Sequence, residues 1–129
     1  DSPYKSIEDL KGKRAAVSWI EAFSGVYIPE GELAARGLSP DHYFHYVEAG
    51  SPMTNLLAAV QRGDADFALA RACTFEQLEK TTPEYAKQFR AVSLKKPDAV
   101  FHCRTSTDLY PYWTFISTQT ATAPVSRAA

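Results

Sequence analysis

Apolar and polar positions change period several times along this chain, and each change marks an element. Ser6-Ile7-Glu8-Asp9-Leu10 reads as a short capped turn, and Lys11-Gly12-Lys13 then leads into a mostly apolar run from Arg14 to Ser18. Short runs of this kind suit a strand buried on both faces. From Ser24 the spacing becomes helical, with Ile28, Leu33 and Ala34 predicted to point inward and Gly37 placed as the C-terminal cap. Pro29 falls early in that helix, where it distorts the first turns. His42 to Val47 alternates and is rich in aromatic residues, which predicts a second strand.

Ser51 then reads as an N-cap and Pro52 as the first helical position. Met53, Leu56, Leu57 and Val60 recur at i, i+3, i+4 and i+7, so this helix has one clear core face, and Gly63 ends it. Ala65 to Ala70 predicts a third buried strand. Thr74 caps a further helix through Leu78, and Pro83 breaks or restarts it before Tyr85 and Phe89. Phe89 to Leu94 reads as a fourth strand, Lys95-Lys96-Pro97-Asp98 as a turn, and Val100 to Arg104 as a fifth strand. Strands alternating with helices predict an α/β fold: three layers, a mostly parallel sheet with helices on both faces. Residues 1–116 are expected to form one such lobe. The Thr/Ala-rich stretch 117–129 reads as a weakly ordered tail of an element that continues further, and the chain as a fragment of something longer.

A length of 129 residues supports one domain with a moderate core. The net charge of −1 carries no basic excess, which argues against a nucleic-acid partner. No apolar run approaches the roughly 18–20 residues of a membrane span. Two cysteines, Cys73 and Cys103, lack metal-ligand spacing. Outside the cytoplasm they would form one disulfide, whose loop of about 30 residues would contribute roughly 3–4 kcal/mol. In a reducing compartment they would be two buried thiols, and composition leaves both readings open.

Candidate chemistry gathers where strands meet helices. Ser18, Ser24 and Gly25 flank the first such turn and Ser51 the second. Hydroxyls and free amides at helix N-termini can capture an anion there, and plain helix capping is the competing reading. Arg71 and Thr74 sit at the end of the third strand, the edge where parallel sheets bind ligands. Arg71 could grip an oxyanion with two nitrogens or pair with Glu76 or Glu79. Neither G-x-G-x-x-G nor a G-x-x-x-x-G-K loop is present. His42 and His45, three apart on a predicted strand, would point to opposite faces, so no metal site is expected. No Ser/His/Asp arrangement suggests catalysis. A nucleophilic Cys73 beside Arg71 has no histidine partner in sequence, so no catalytic residue is assigned and no cofactor is implied. Asp64 and Asp66 read as solvated loop residues. Tyr110-Pro111-Tyr112-Trp113 with Phe115 forms an aromatic cluster suited to a lid, an interface or local packing.

Three segments carry a family likeness: Leu10-Lys11-Gly12-Lys13-Arg14, Ser24-Gly25-Val26-Tyr27-Ile28-Pro29 and Ala59-Val60-Gln61-Arg62-Gly63-Asp64-Ala65-Asp66. Together, over residues 7–94, they resemble the second lobe of phosphonate-type periplasmic binding proteins, which are two-lobed type II clamps. Pro52-Met53-Thr54, Arg71-Ala72-Cys73-Thr74-Phe75-Glu76 and the run from Cys103 through Leu109-Tyr110-Pro111-Tyr112-Trp113 to Phe115 further resemble sensor regions of tetrathionate-sensor-type histidine kinases. Transporter relatives usually place a histidine and an acidic residue where this chain has Pro52-Met53, which disfavours phosphonate as ligand.

The resemblance implies a non-catalytic, extracytoplasmic sensing lobe of an inner-membrane two-component kinase. Its expected partners are a small sulfur or phosphorus oxyanion, a first lobe and a kinase core of the same protein. A solute-binding protein of an ABC importer is the alternative. Carried onto this sequence, the ligand residues would be Ser18, Ser24, Gly25, Tyr27, Ser51, Arg71 and Thr74. The resemblance also puts Cys73 at a strand end facing the cleft and Cys103 on the crossing strand beside it, implying a disulfide or redox-responsive pair.

Overall fold

The computed structural model of the chain describes residues 2–110. Among these, three strands, β1 (Arg14–Val17), β2 (His45–Glu48) and β3 (Phe67–Ala68), form a parallel sheet in the order β2-β1-β3. The helices are α1 (Ile28–Ala35), α2 (Thr54–Arg62), α3 (Thr74–Thr81) and α4 (Pro83–Ala86), with a 3-10 turn at Glu8–Leu10. The central strand is built from small residues. Ala15 packs with Leu33 of α1, and Ala16 with Leu56 and Ala59 of α2. Adjacent strand residues point to opposite faces, so α1 and α2 cover opposite sides of the sheet. Ala68 is in register with Ala16 and packs against the cluster of Leu57, Leu78 and Ala86, which puts α3 and α4 on the α2 side. The expected α/β architecture with helices on both faces is present.

The apolar stripe of α2 behaves as predicted: Leu56 and Leu57 are buried, and Met53 and Val60 pack against the core. Gly37 and Gly63 end α1 and α2 with φ of 73° and 80°, a left-handed region that disfavours residues bearing a Cβ. After Gly37, Leu38 N–H donates to Leu33 O at 3.0 Å and closes the helix end.

Several expectations are corrected. The helix expected from Ser24 opens as a π-helical turn, Phe23–Tyr27, before α1 begins at Ile28. Pro29 has no N–H to donate four residues back, so the ladder widens, and Ile28 N–H reaches Phe23 O instead. Ala34 is exposed, and the charged Glu32 is buried beside Leu33. The second strand starts at His45, because Tyr43 N–H closes a turn onto Pro40 O and His42 is left-handed, with φ of 53°. The two histidines therefore do not share a strand. Ser51 is not an N-cap and Pro52 not the first helical residue: the Ser51–Pro52 peptide is cis and α2 begins at Thr54. There the first turn is tightened by i→i−3 bonds from Asn55 to Pro52 and from Leu56 to Met53, and Asn55 Nδ2 donates to Ser51 O. Thr74 is the first residue of α3, and the N-cap position belongs to Cys73.

Strands expected at 89–94 and 100–104 are absent from the described structure, and β3 is shorter than expected. Their backbone groups go elsewhere. Ser93 N–H donates to Lys5 O, and Lys95 N–H to Thr105 O. The Asp98 carboxylate accepts the amides of Val100 and Phe101 at 2.8 and 2.7 Å, forming a side-chain turn where the fifth strand should start. The tail 117–129, and the aromatic cluster beyond Tyr110, lie outside the described residues.

Candidate functional site

Because α1 follows β1 and α2 follows β2, the N-terminal ends of both helices come to the carboxyl edge of the parallel sheet. β1 is followed by β2 on one side and β3 is added on the other, and the crevice at such a reversal is where open α/β sheets take ligands. Ser18 directly follows β1 at this edge, where its carbonyl accepts Gly50 N–H at 3.2 Å and so draws the entry to α2 alongside. Its side chain shares a face with Ala16, the face covered by α2. Ser18 is 5% exposed, and its Oγ is the buried side-chain oxygen without a hydrogen-bond partner among the described residues. Past Gly50, at the entry to α2, the amides of Ser51, Met53 and Thr54 have no acceptor among those residues. Leaving a buried hydroxyl unpaired costs roughly 1–3 kcal/mol, so an orphan at an edge with free donors has the character of a receiving site.

The structure sorts the sequence candidates into two groups. Ser18 and Ser51 gather at the start of α2. Ser24 and Arg71 line a cavity of about 900 Å³ between β3 and residues 87–110, and Cys73 borders it as well. Gly25 is buried, and Tyr27 is exposed with its phenol outside that cavity; Thr74 stands at the start of α3, also outside the lining. The Arg71 side chain has no hydrogen-bond or ion-pair partner among the described residues, and Glu76 and Glu79 are both taken by Arg104. Cys73 and Cys103 are joined by a disulfide with 5.0 Å between Cα atoms, which occupies the sulfur that a nucleophile would need.

Asp66 is not a solvated loop residue. It accepts Arg14 N–H at 2.8 Å and two guanidinium nitrogens at 3.2 and 3.0 Å, and the Arg14 bonds hold its carboxyl below the usual range. This pair pins the start of β3 to the start of β1, and Asp66 also lines the cavity that Ser24 and Arg71 border. Asp64 pairs with Arg62 at 2.8 Å.

Two features escaped the sequence reading. Glu32, 2% exposed, accepts Lys95 Nζ at 2.8 Å and Arg36 Nε at 3.0 Å. Burial pushes its carboxyl up, but the hydrogen bonds from Lys95 and Arg36 bring it below the usual value. Helical spacing could have shown it, since Glu32 neighbours the buried Leu33. The second feature is an apolar rim: Trp19 and Ile20, about half exposed, follow Ser18 directly. Among the described residues no cluster of three or more His, Cys, Asp or Glu could hold a metal, and no helix is long and apolar enough to cross a membrane.

Comparison with known proteins agrees with this architecture. The sequence model of the periplasmic substrate-binding protein of phosphonate ABC transporters matches residues 1–128. The tetrathionate sensor histidine kinase TtrS of Salmonella typhimurium is 30% identical over 115 residues, covering 89% of this chain. This chain spans only 19% of that relative's length. No solved structure matches. With a parallel sheet, helices on both faces and a family match over nearly its whole length, the chain belongs to the phosphonate-type periplasmic substrate-binding protein family.

Proposed function

We propose that this chain is the extracytoplasmic ligand-sensing lobe of a membrane-anchored two-component sensor histidine kinase, and that it binds a small anion at the carboxyl edge of its sheet. The observation that carries the reading is the buried Ser18 hydroxyl, unpartnered among the described residues, on the residue whose carbonyl holds Gly50 at the entry to α2, where the first amides are likewise without an acceptor among those residues. Those donors carry the positive end of the helix dipole and suit an oxyanion. Ser24 and Arg71, on the neighbouring cavity wall, would serve the same charge or a second acceptor group. The likeness to a tetrathionate sensor kinase supports sulfur oxyanions as the first class to test, with phosphorus oxyanions next.

The test is calorimetric titration of the complete extracytoplasmic part with tetrathionate, thiosulfate, sulfate, phosphate and methylphosphonate. Saturable binding by one of these is expected. Ser18→Ala removes no bond from the fold and should leave the melting temperature unchanged or raised. It should weaken that anion by tenfold or more, since a hydrogen bond to a charged group is worth about 1.5–3 kcal/mol. Unchanged affinity in Ser18→Ala, or no binding by any of the five, would refute the reading. The importer reading rests on the family description; it would be favoured if the intact protein ended after its second lobe without a kinase core.

A further inference from the structure

The disulfide and Arg104 fasten the same two pieces of chain, but not in the same way. Arg104 donates its backbone amide and Nε to Glu76, each at 2.8 Å, and Nη2 to Glu79. Its guanidinium also lies 4.5 Å from the centre of the Phe75 ring. Arg104 thus ties residues around 101–106 to α3 by bonds that do not depend on the disulfide. The turn from β3 into α3 is held by the disulfide and by backbone bonds, with Gln77 N–H donating to Cys73 O at 3.0 Å. Cys73 is exposed, with φ of 67°, a region disfavoured for a residue bearing a Cβ. Within the turn, Thr74 N–H reaches Arg71 O at 3.2 Å. Arg71, whose side chain is unpartnered among the described residues, sits on that turn at the cavity wall.

We propose that Cys73–Cys103 is a reducible latch on the turn presenting Arg71, opened by thiol–disulfide exchange with a dithiol reductant. In that exchange the Sγ–Sγ bond breaks and the reductant's two thiols supply two electrons and two protons. Cys73 and Cys103 become thiols while the reductant closes into its own disulfide. Freed of the bond, Cys73 leaves the left-handed conformation and Arg71 loses its fixed place, while Arg104 keeps its segment on α3. Reduction therefore loosens the Arg71 turn without releasing residues 101–106. This goes beyond the anion reading and stands or falls independently of it.

The test is hydrogen exchange on the full-length protein with and without dithiothreitol, with iodoacetamide to count thiols. Labelling of Cys73 and Cys103 without global unfolding is expected. Within residues 71–76, exchange should rise about tenfold or more at Thr74, whose amide donates to Arg71 O, and it should stay unchanged at 101–106. A Cys73→Ala, Cys103→Ala double variant should reproduce the reduced pattern, and adding Arg104→Met to it should then release 101–106. A disulfide that resists reduction until the protein unfolds would overturn the latch. So would unchanged exchange at Thr74, equal loosening of both segments, or continued protection of 101–106 after the Arg104 change.

Discussion

Residues 14–68 and residues 89–110 are held in place by different forces. In the first region strands pair in register and small strand residues let helices bury Leu33, Leu56 and Ala59 on both faces. In the second there is no strand among the described residues. That segment is held by ion pairs to Glu32, Glu76 and Glu79, by one disulfide, and by isolated hydrogen bonds such as those from the Arg90 guanidinium to the Ser2 and Tyr4 carbonyls. Apolar burial is insensitive to pH and to moderate salt. Charge pairs and exposed sulfur respond to both solvent and redox conditions. The described residues thus comprise a fixed body and a chemically addressable strap.

The sharpest break of that contrast is Leu56→Ala. Leu56 is fully buried between β1 and α2, so about 3–4 kcal/mol of stability should be lost in denaturant melts, at any salt concentration. Glu32→Gln should follow at about 2 kcal/mol, below the ~3–5 of a fully buried pair because Arg36 and Lys95 remain partly solvated. Its effect should concentrate in slower-to-protect residues 95–108 by hydrogen exchange, leaving α2 unchanged. Acid comes next. Asp66 and Glu32 both have carboxyls lowered on folding. The stability they supply is full above the unfolded carboxylate value, about 4, and is lost as pH falls through their folded values. Chemical melts between pH 7 and pH 3 should show that loss, and Asp66→Asn should reduce its size. Arg104→Met in the oxidised protein should cost about 1 kcal/mol or less, the range of exposed pairs, and the loss should shrink with added salt.

Local chemistry was legible where one residue dictates one event. Gly37 and Gly63 end their helices in the left-handed turn that glycine favours, and Pro29 disturbs the start of α1 in the way its missing N–H requires. The stripe Met53, Leu56, Leu57 and Val60 named the buried face of α2 because helical period alone sets which side chains align. The order of the first three strands and the helices between them, and with it the fold class, followed from that patterning.

Long-range partners were not legible in this way. Whether residues 89–94 become a strand depends on a neighbour offering a ladder, and here their backbone groups meet Lys5 and the strap itself. Asp66 looked like a loop acid until Arg14, 52 residues away, closed on it. Ser18 is an ordinary serine in the sequence, and only the tertiary structure leaves its hydroxyl buried without a partner among the described residues. Periodicity and backbone preference act over a few residues and are written in the chain. Burial, pairing of charges and the satisfaction of polar atoms are set by residues brought together in space, so only the tertiary structure decides them.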